Sequence, residues 1–198
     1  MAKDNLKYEQ YYYDLGYDII GIDEVGRGPI CGPIVICGIS MEKDYYNEEI
    51  TDSKKLSEKK RDRLFKEIIK HSTYYDIQIV SSIDVDKYNV YQATKRAMQK
   101  ISDDFNGFSL VDAMPLDNDH HLPIIKGDLL SFSIACASIV AKVIRDHIMY
   151  GYDVLYPMYE LKKHKGYPTK KHIALIEEFG VQDFYRFSYG PVQKFKKD

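Results

Sequence analysis

The stretch Ile20-Gly21-Ile22-Asp23-Glu24-Val25-Gly26-Arg27-Gly28-Pro29 decides how the rest of the chain is read. Its first half is an apolar run of the kind that forms a buried strand, and it ends in two adjacent carboxylates. An ionised carboxylate among buried apolar groups is costly unless something pairs it, and a divalent cation is one such partner. The glycine-arginine-glycine turn that follows joins a permissive backbone to a positive charge, which suits it to lie against a phosphate-bearing ligand. Metal site and ligand cradle are then covalent neighbours. Adjacent residues on a regular strand face opposite sides. Asp23 and Glu24 therefore serve one site only if the strand ends or bulges there, which Gly26 permits.

Working outward, Asp18 to Val25 reads as a buried strand and Gly32 to Ser40 as a second, joined through Gly-Pro turn residues. Ser57 to His71 reads as a helix, with Ser57 as its cap and Leu64, Phe65, Ile68 and Ile69 as its apolar stripe. Tyr74 to Ser82 alternates as a third strand, and Val85 to Ile101 has helical spacing. Ser109 to Ala113 and His121 to Lys126 are short strands. Leu129 to Tyr150 is predicted as one long helix rich in small residues, and Thr169 to Phe179 as a helix ending at Gly180. This order predicts an α/β sandwich around a mixed sheet. Tyr152 to Pro168 reads as the least compact part, a joint before a C-terminal appendage. The chain is thus expected to be one domain over 1–198, with a core at about 14–150 and an appendage at about 151–198.

Two more acids share the placement of Asp23 and Glu24. Asp112 ends the Ser109-Leu110-Val111 strand, and Asp128 follows Lys126-Gly127 and opens the long helix. Ligand sites in α/β sheets gather where strands end. Four converging acids offer the oxygen donors that hard divalent cations such as magnesium prefer. Two such ions about 4 Å apart activate water and stabilise a leaving oxygen in phosphodiester cleavage. Plainer readings stand beside these: Asp128 caps its helix, and Asp112 is a turn residue before Pro115. Asp117-Asn118-Asp119-His120-His121 lacks the glycine and terminal glutamate of a calcium loop and reads as a polar turn.

The 198 residues suffice for one core, and 44% hydrophobic with 29% charged residues is the balance of a globular protein. A net charge of −2 counts mildly against a nucleic-acid binder, unless several acids are committed to metal and the bases cluster. The bases do cluster. Lys54 and Lys55 sit beside Ser53 before a helix that adds Lys59, Lys60, Arg61 and Arg63. Lys162, Lys163, Lys165, Lys170 and Lys171 make the appendage basic. Ser138, Lys142 and Arg145 share one helix face, suited either to the active-site side or to satisfying neighbouring carbonyls or acids. His164 and His172 read as phosphate contacts or as surface residues without a specific role. Cys31, Cys37 and Cys136 sit in apolar surroundings with no C-x-x-C pair, as reduced core residues do. No signal pattern or membrane-length apolar run is present, so the expected location is the cytoplasm, away from membranes.

The motifs, taken in order, resemble a known family. G-I-D-E-V-G-R-G-P (Gly21 to Pro29), D-S-K-K-L-S (Asp52 to Ser57), V-D-A-M (Val111 to Met114), K-G-D (Lys126 to Asp128), S-I-V-A-K-V-I-R-D (Ser138 to Asp146), K-G-Y-P-T-K-K-H (Lys165 to His172) and R-F-S-Y-G-P-V (Arg186 to Val192) together look like bacterial type 2 ribonuclease H, ribonuclease HII. The resemblance implies a ribonuclease H-like mixed five-stranded sheet flanked by helices, with a small C-terminal helical appendage. It implies a metal-dependent endonuclease acting on the RNA strand of RNA–DNA hybrids and at single ribonucleotides in duplex DNA, leaving 3′-hydroxyl and 5′-phosphate ends. Asp23, Glu24, Asp112 and Asp128 match the family's catalytic and metal-binding acids, with two Mg2+ or Mn2+ ions expected. Gly26, Arg27 and Gly28 match its ribonucleotide-reading motif, Tyr167 matches its ribose-packing tyrosine, and Lys54 fits a phosphate contact. Arg27, where the type 3 enzymes carry lysine, favours type 2, and Pro168 stands where many relatives have glycine. A monomer is expected. Relatives can be guided by a replication clamp, but no tail motif here supports one. Three other readings are a non-catalytic duplex binder, which four intact acids disfavour, a nucleotide hydrolase, which lacks its G-x-x-x-x-G-K-[ST] loop, and a structural metal module.

Overall fold

The computed structural model describes residues 4–195; the outermost residues of the expected 1–198 span lie outside it. Five strands form one sheet in the order β3-β2-β1-β4-β5: β1 Ile19–Val25, β2 Ile34–Met41, β3 Ser72–Val80, β4 Phe108–Asp112 and β5 His121–Ile124. β1, β2 and β3 pair antiparallel, whereas β1, β4 and β5 run parallel. Every residue of β2 is buried, as its Ile-Val-Ile-Cys-Gly-Ile-Ser-Met run requires of a central strand covered on both faces. The helices are α1 Lys7–Asp14, α2 Glu58–Lys70, α3 Ser82–Tyr88, α4 Val90–Asp104, α5 Gly127–Leu130, α6 Phe132–Leu155, α7 Leu161–His164, α8 Lys170–Phe179 and α9 Gly190–Gln193.

Alternation along the strands sorts the core into two layers. Val35, Cys37 and Ile39 pack against α2 through Leu64 and Ile68, and against α6 through Cys136, Ile139 and Val140. Ile20, Ile22, Ile34 and Ile36 pack on the other face against Ala93, Ala97, Met98 and Ile101 of α4. The small residues of α6 have a steric cause. A Cβ added to Gly21 would lie 2.2 Å from the Ser133 carbonyl carbon, so β1 and the start of α6 meet backbone to backbone.

Three expectations need correction. The Val85–Ile101 helix is two helices, because Asn89 adopts φ 62° and caps α4 by accepting from Gln92 N. The long helix likewise divides at Ser131, whose extended backbone ends α5 and whose hydroxyl oxygen caps α6 at Ile134 N. Residues 152–168 are not loose. α6 continues to Leu155, and Tyr159 and Leu161 are fully buried in a third cluster with Ile30, Cys31, Met149, Ile176, Phe184 and Tyr185. The short helices α1, α7 and α9 were not foreseen, and α1 carries a buried Glu9 whose Oε1 accepts from Ser131 Oγ (2.6 Å) and Ser133 N (2.9 Å), satisfying the N-terminus of α6.

Two glycines separate packing from propensity. Gly21→Ala forces backbone against backbone and is expected to cost at least about 3 kcal/mol, a fall in Tm of roughly 6–12 °C for a chain this size. Gly151→Ala, inside α6 with nothing within 4 Å of the added Cβ, is expected to raise Tm by about 1–4 °C through helix propensity. Thermal melts of both variants check the close approach; an undiminished Tm for Gly21→Ala contradicts it.

Candidate active site

The sheet register brings the first acids together. β1 and β4 run parallel with Ile22 beside Val111, so Asp23 and Asp112 follow at the same carboxyl ends. Oxygens of Asp23, Glu24 and Asp112 all lie within 4.8 Å of one another, the one such cluster of potential metal ligands among the described residues. No bulge achieves this. The β1–β2 ladder stays in register through Asp23, Glu24 and Val25. Pairing with β4 instead stops at Ile22, which leaves an open edge at Asp23 and Glu24, and β1 itself ends at Val25. At that edge the two adjacent side chains reach a common point.

Burial sets the electrostatics. Asp23 is 5% exposed. Desolvation first, then the charges of Glu24 and Asp112, hold its carboxyl well above the usual range, against hydrogen bonds from Ser138 and from the Glu24 amide (2.7 Å). Burial pushes Glu24 up to about 7; Arg27, with Nη1 3.5 Å from Glu24 Oε1, opposes this and Asp112 adds to it. Asp112 is raised by burial, with its Oδ1 accepting from Gly127 N at 2.7 Å. Ser53 Oγ lies 3.0 Å from Ser138 Oγ, which ties the Asp52–Ser57 turn to Asp23 through α6. Lys54, in that turn and exposed, acts on both Glu24 and Asp112 as a neighbouring positive charge. Three desolvated carboxylates with two peripheral cations form a hard-oxygen donor set that is compatible with a divalent metal.

Asp128 stands one step outside that cluster. It is half-buried, the second residue of α5, and near enough for its charge to raise Asp112. It does not cap the long helix, since Ser131 does. Asp117 to His121 is the expected polar turn, folded on itself by a His121 Nδ1–Asn118 O bond of 2.7 Å.

The Gly26–Pro33 loop is fixed from below by two arginines, both 0% exposed. Arg145 donates to the carbonyls of Pro33 (3.0 Å), Cys31 (3.3 Å) and Lys165 (3.0 Å). Of the two readings for the Ser138-Lys142-Arg145 face, Ser138 thus takes the active-site role, Lys142 pairs with Asp146 (2.7 Å) and Arg145 satisfies carbonyls. Arg186 donates to Gly32 O, Pro29 O and Arg27 O. Its role as a loop anchor was not read from the sequence, where Arg186 stands only as the first residue of the R-F-S-Y-G-P-V motif. Gly26 has φ 112°, and a Cβ there would lie 2.4 Å from Arg145 Nε, so only glycine fits.

Tyr167 lies over the same loop, its Cε1 3.4 Å from where a Gly28 Cβ would sit. The histidines behind it bond to neighbouring protein groups: half-buried His164 donates from Nε2 to Tyr159 O at 2.8 Å. His172 is 0% exposed, donates from Nδ1 to Tyr167 O (2.9 Å) and accepts from Tyr185 Oη (3.0 Å). Burial lowers its pKa to about 4, which keeps it neutral. It stacks on His164 at 4.1 Å. Elsewhere the basic groups divide. Lys60 and Arg63 pair with Glu49, Arg61 ties Ser53 O and Leu56 O to α2, and Lys163 and Lys171 pair with Glu160.

The family model described as Ribonuclease HII matches residues 20–192. Ribonuclease HII of Acholeplasma laidlawii (strain PG-8A) is 42% identical over 201 aligned residues, covering 100% of each chain. The crystal structure of ribonuclease H2 from Pyrococcus horikoshii OT3 superposes with a TM-score of 0.78 at 22% identity, covering 90% of this chain and 96% of that one. A crystal structure of Bst-RNase HIII in complex with Mn2+ superposes with a TM-score of 0.64 at 16% identity, over 90% of this chain and 68% of that one. At such identities these two structures speak for the fold.

The raised carboxylates carry a stability signature. Glu24 titrates near 4.5 when unfolded and near 7 when folded. Between those values the folded state holds the extra proton, so metal-free stability falls as pH rises. Glu24→Gln removes that slope. Its Tm advantage over the native chain is expected to grow between pH 5 and pH 8 by the equivalent of about 1–3 kcal/mol. Added Mn2+ is expected to raise the native Tm more at pH 8 than at pH 5. Melts with and without Mn2+ across that range check both; a Mn2+ response independent of pH and of Glu24 contradicts the donor assignment.

Proposed function

The chain belongs to the ribonuclease HII family, and from that membership and the crowded carboxylates we propose that it is a divalent-metal-dependent endoribonuclease for RNA–DNA hybrids that also incises at single ribonucleotides within duplex DNA. The observation that carries this reading is the meeting of Asp23, Glu24 and Asp112 at the carboxyl ends of two parallel strands, beside a glycine-arginine-glycine loop.

In this reading Asp23, Glu24 and Asp112 hold Mg2+ or Mn2+, with Asp128 completing the site from α5. A bound pair of such ions supplies activation of the attacking water and charge neutralisation of the departing oxygen. The chain does the rest. Arg27 and Lys54 pair phosphates on either side of the scissile bond. The 2′-hydroxyl is the group that distinguishes a ribonucleotide from its DNA neighbours, and Gly26 and Gly28 let backbone amides approach it. Tyr167, half exposed over Gly28, packs beside the sugar. The expected products carry 3′-hydroxyl and 5′-phosphate ends. The lysines Lys162, Lys165 and Lys170 extend a basic track along the C-terminal segment for the DNA flank. The core at about 14–150 and the appendage at about 151–198 act as one unit, with the loop held between them. No helix among the described residues is long and apolar enough to cross a membrane. We place the enzyme in the cytoplasm as a monomer.

Asp23→Asn keeps the side-chain shape and removes the charge. It is expected to lower cleavage of a labelled duplex bearing one ribonucleotide by at least about a thousandfold, with duplex affinity retained and Tm unchanged or higher. Tyr167→Ala is expected to lower incision at a single ribonucleotide more than cleavage of a long hybrid. Near-native turnover by Asp23→Asn in Mg2+ or Mn2+ overturns the metal assignment. Equal loss on both substrates by Tyr167→Ala removes Tyr167 from the selection of the junction.

A further inference from the structure

The carbonyl oxygen of Arg27 is gripped by two side chains from the C-terminal segment. Tyr189 Oη lies 2.6 Å from it and Arg186 Nη1 lies 3.2 Å from it. The same Nη1 is 3.2 Å from Tyr189 Oη. A guanidinium carries donors only, so the Tyr189 oxygen accepts from Arg186. The phenolic hydrogen is then left to point at the Arg27 carbonyl. Chemistry, rather than choice, orients every bond of this triangle.

Neither partner is free to drift. Arg186 is fully buried, with Nε and Nη2 on Gly32 O at 3.1 and 2.8 Å and Nη1 on Pro29 O at 2.7 Å. The Tyr189 ring packs against both the α4-side cluster and the C-terminal cluster. The Arg27–Gly28 peptide is trans. A trans peptide is planar and sets the carbonyl of one residue and the amide of the next on opposite sides. Pulling the Arg27 carbonyl inward therefore turns the Gly28 N–H outward. That amide donates to no group among the described residues, and Gly28 is exposed beneath the Tyr167 ring.

We propose that Tyr189 is a positioning residue for recognition: its hydroxyl, steered by Arg186, locks the Arg27–Gly28 peptide so that the Gly28 amide stands ready to donate to the sugar of a ribonucleotide. This rests on the reading above that Gly26-Arg27-Gly28 meets the ribonucleotide. A lone glycine-flanked peptide flips at little cost. One fixed on its carbonyl side needs no ordering when substrate arrives.

Tyr189→Phe deletes the hydroxyl and keeps the ring, its packing and Arg186. The test is the affinity of the full-length chain, carrying Asp23→Asn to block turnover, for a duplex with one ribonucleotide and for the same duplex as all DNA. Without Tyr189→Phe the ribonucleotide duplex binds more tightly. With it, that preference is expected to shrink by about tenfold, the loss of one aligned hydrogen bond, while all-DNA affinity holds. In the otherwise native enzyme, kcat/KM at a single ribonucleotide falls by a similar factor. The preference is an internal ratio, so a general loss of structure lowers both affinities and leaves it unchanged. An unchanged preference, whatever happens to Tm, overturns the role of Tyr189 alone. No preference in the Tyr189 parent, together with no incision by the native enzyme, overturns the underlying reading and this inference with it.

Discussion

Like-charge crowding at the ends of β1 and β4 is the constraint on which the rest of this molecule depends. Three carboxylates have oxygens within 4.8 Å of one another. At an effective dielectric constant of 20 each such ionised pair repels by roughly 3–4 kcal/mol. Desolvation adds to this, and the nearby cations do not cancel it: Arg27, 3.5 Å from Glu24, and the exposed Lys54 act on both Glu24 and Asp112, and both carboxyls stay raised. A fold that holds these groups together when they are ionised has to spend stability from elsewhere. The two-faced burial of β2 and the backbone contact between Gly21 and Ser133 are where that rigidity comes from. Protonation relieves this crowding, and the donor set is compatible with a divalent cation; fully ionised and unpaired, the arrangement is strained.

The loop beside the acids is organised by the opposite charge. Arg145 and Arg186 are both fully buried, and neither makes a salt bridge to a carboxylate among the described residues. Their guanidinium donors are satisfied by backbone carbonyls of residues 27, 29, 31, 32, 33 and 165. Burial, and each other's charge in the case of Arg145, lowers their pKa. Two positive centres beneath a loop whose Gly28 amide faces outward create a potential that favours an anionic ligand without any surface lysine. The net charge of −2 hides this, because acids and bases are separated in space rather than mixed.

What was legible in the sequence follows from locality. Asp23 and Glu24 stand out because an apolar run ends in charge, and Ser57 caps α2 because capping needs three residues only. The split at Asn89 was not legible, since a left-handed residue in an otherwise helical pattern leaves the periodicity intact. Ser131 was hidden for a related reason. Its extended conformation is stabilised by Glu9, 122 residues away, and no local pattern reports that bond. The loop arginines were legible in part. Arg145 lies on a helix face for which carbonyl satisfaction is one of the two readings, and it does donate to carbonyls, but their partners are backbone oxygens, which every residue has, so residue type does not say which carbonyls either arginine takes. Of the two ways for Asp23 and Glu24 to share a site, a strand end or a bulge, the molecule uses the strand end, and the sequence does not say where the neighbouring strand stops.

The fourth acid illustrates how the site is coupled. Asp23, Glu24 and Asp112 are placed by strands, but Asp128 is placed by a four-residue helix that follows a left-handed Lys126. What fixes that helix is Asp112 itself, through the 2.7 Å bond from Gly127 N to its Oδ1. A Cβ on Gly127 would lie 2.6 Å from Ile134 Cδ1 and 3.2 Å from that same oxygen, so a larger residue displaces the Ile134 side chain and crowds Asp112. Asp112 therefore has one oxygen engaged in positioning Asp128. A substitution at Asp112 removes one carboxylate from the cluster and releases the support of another. Its effect cannot be the simple loss of one charge, whereas a substitution at Asp128 leaves the strand-borne acids where the register puts them.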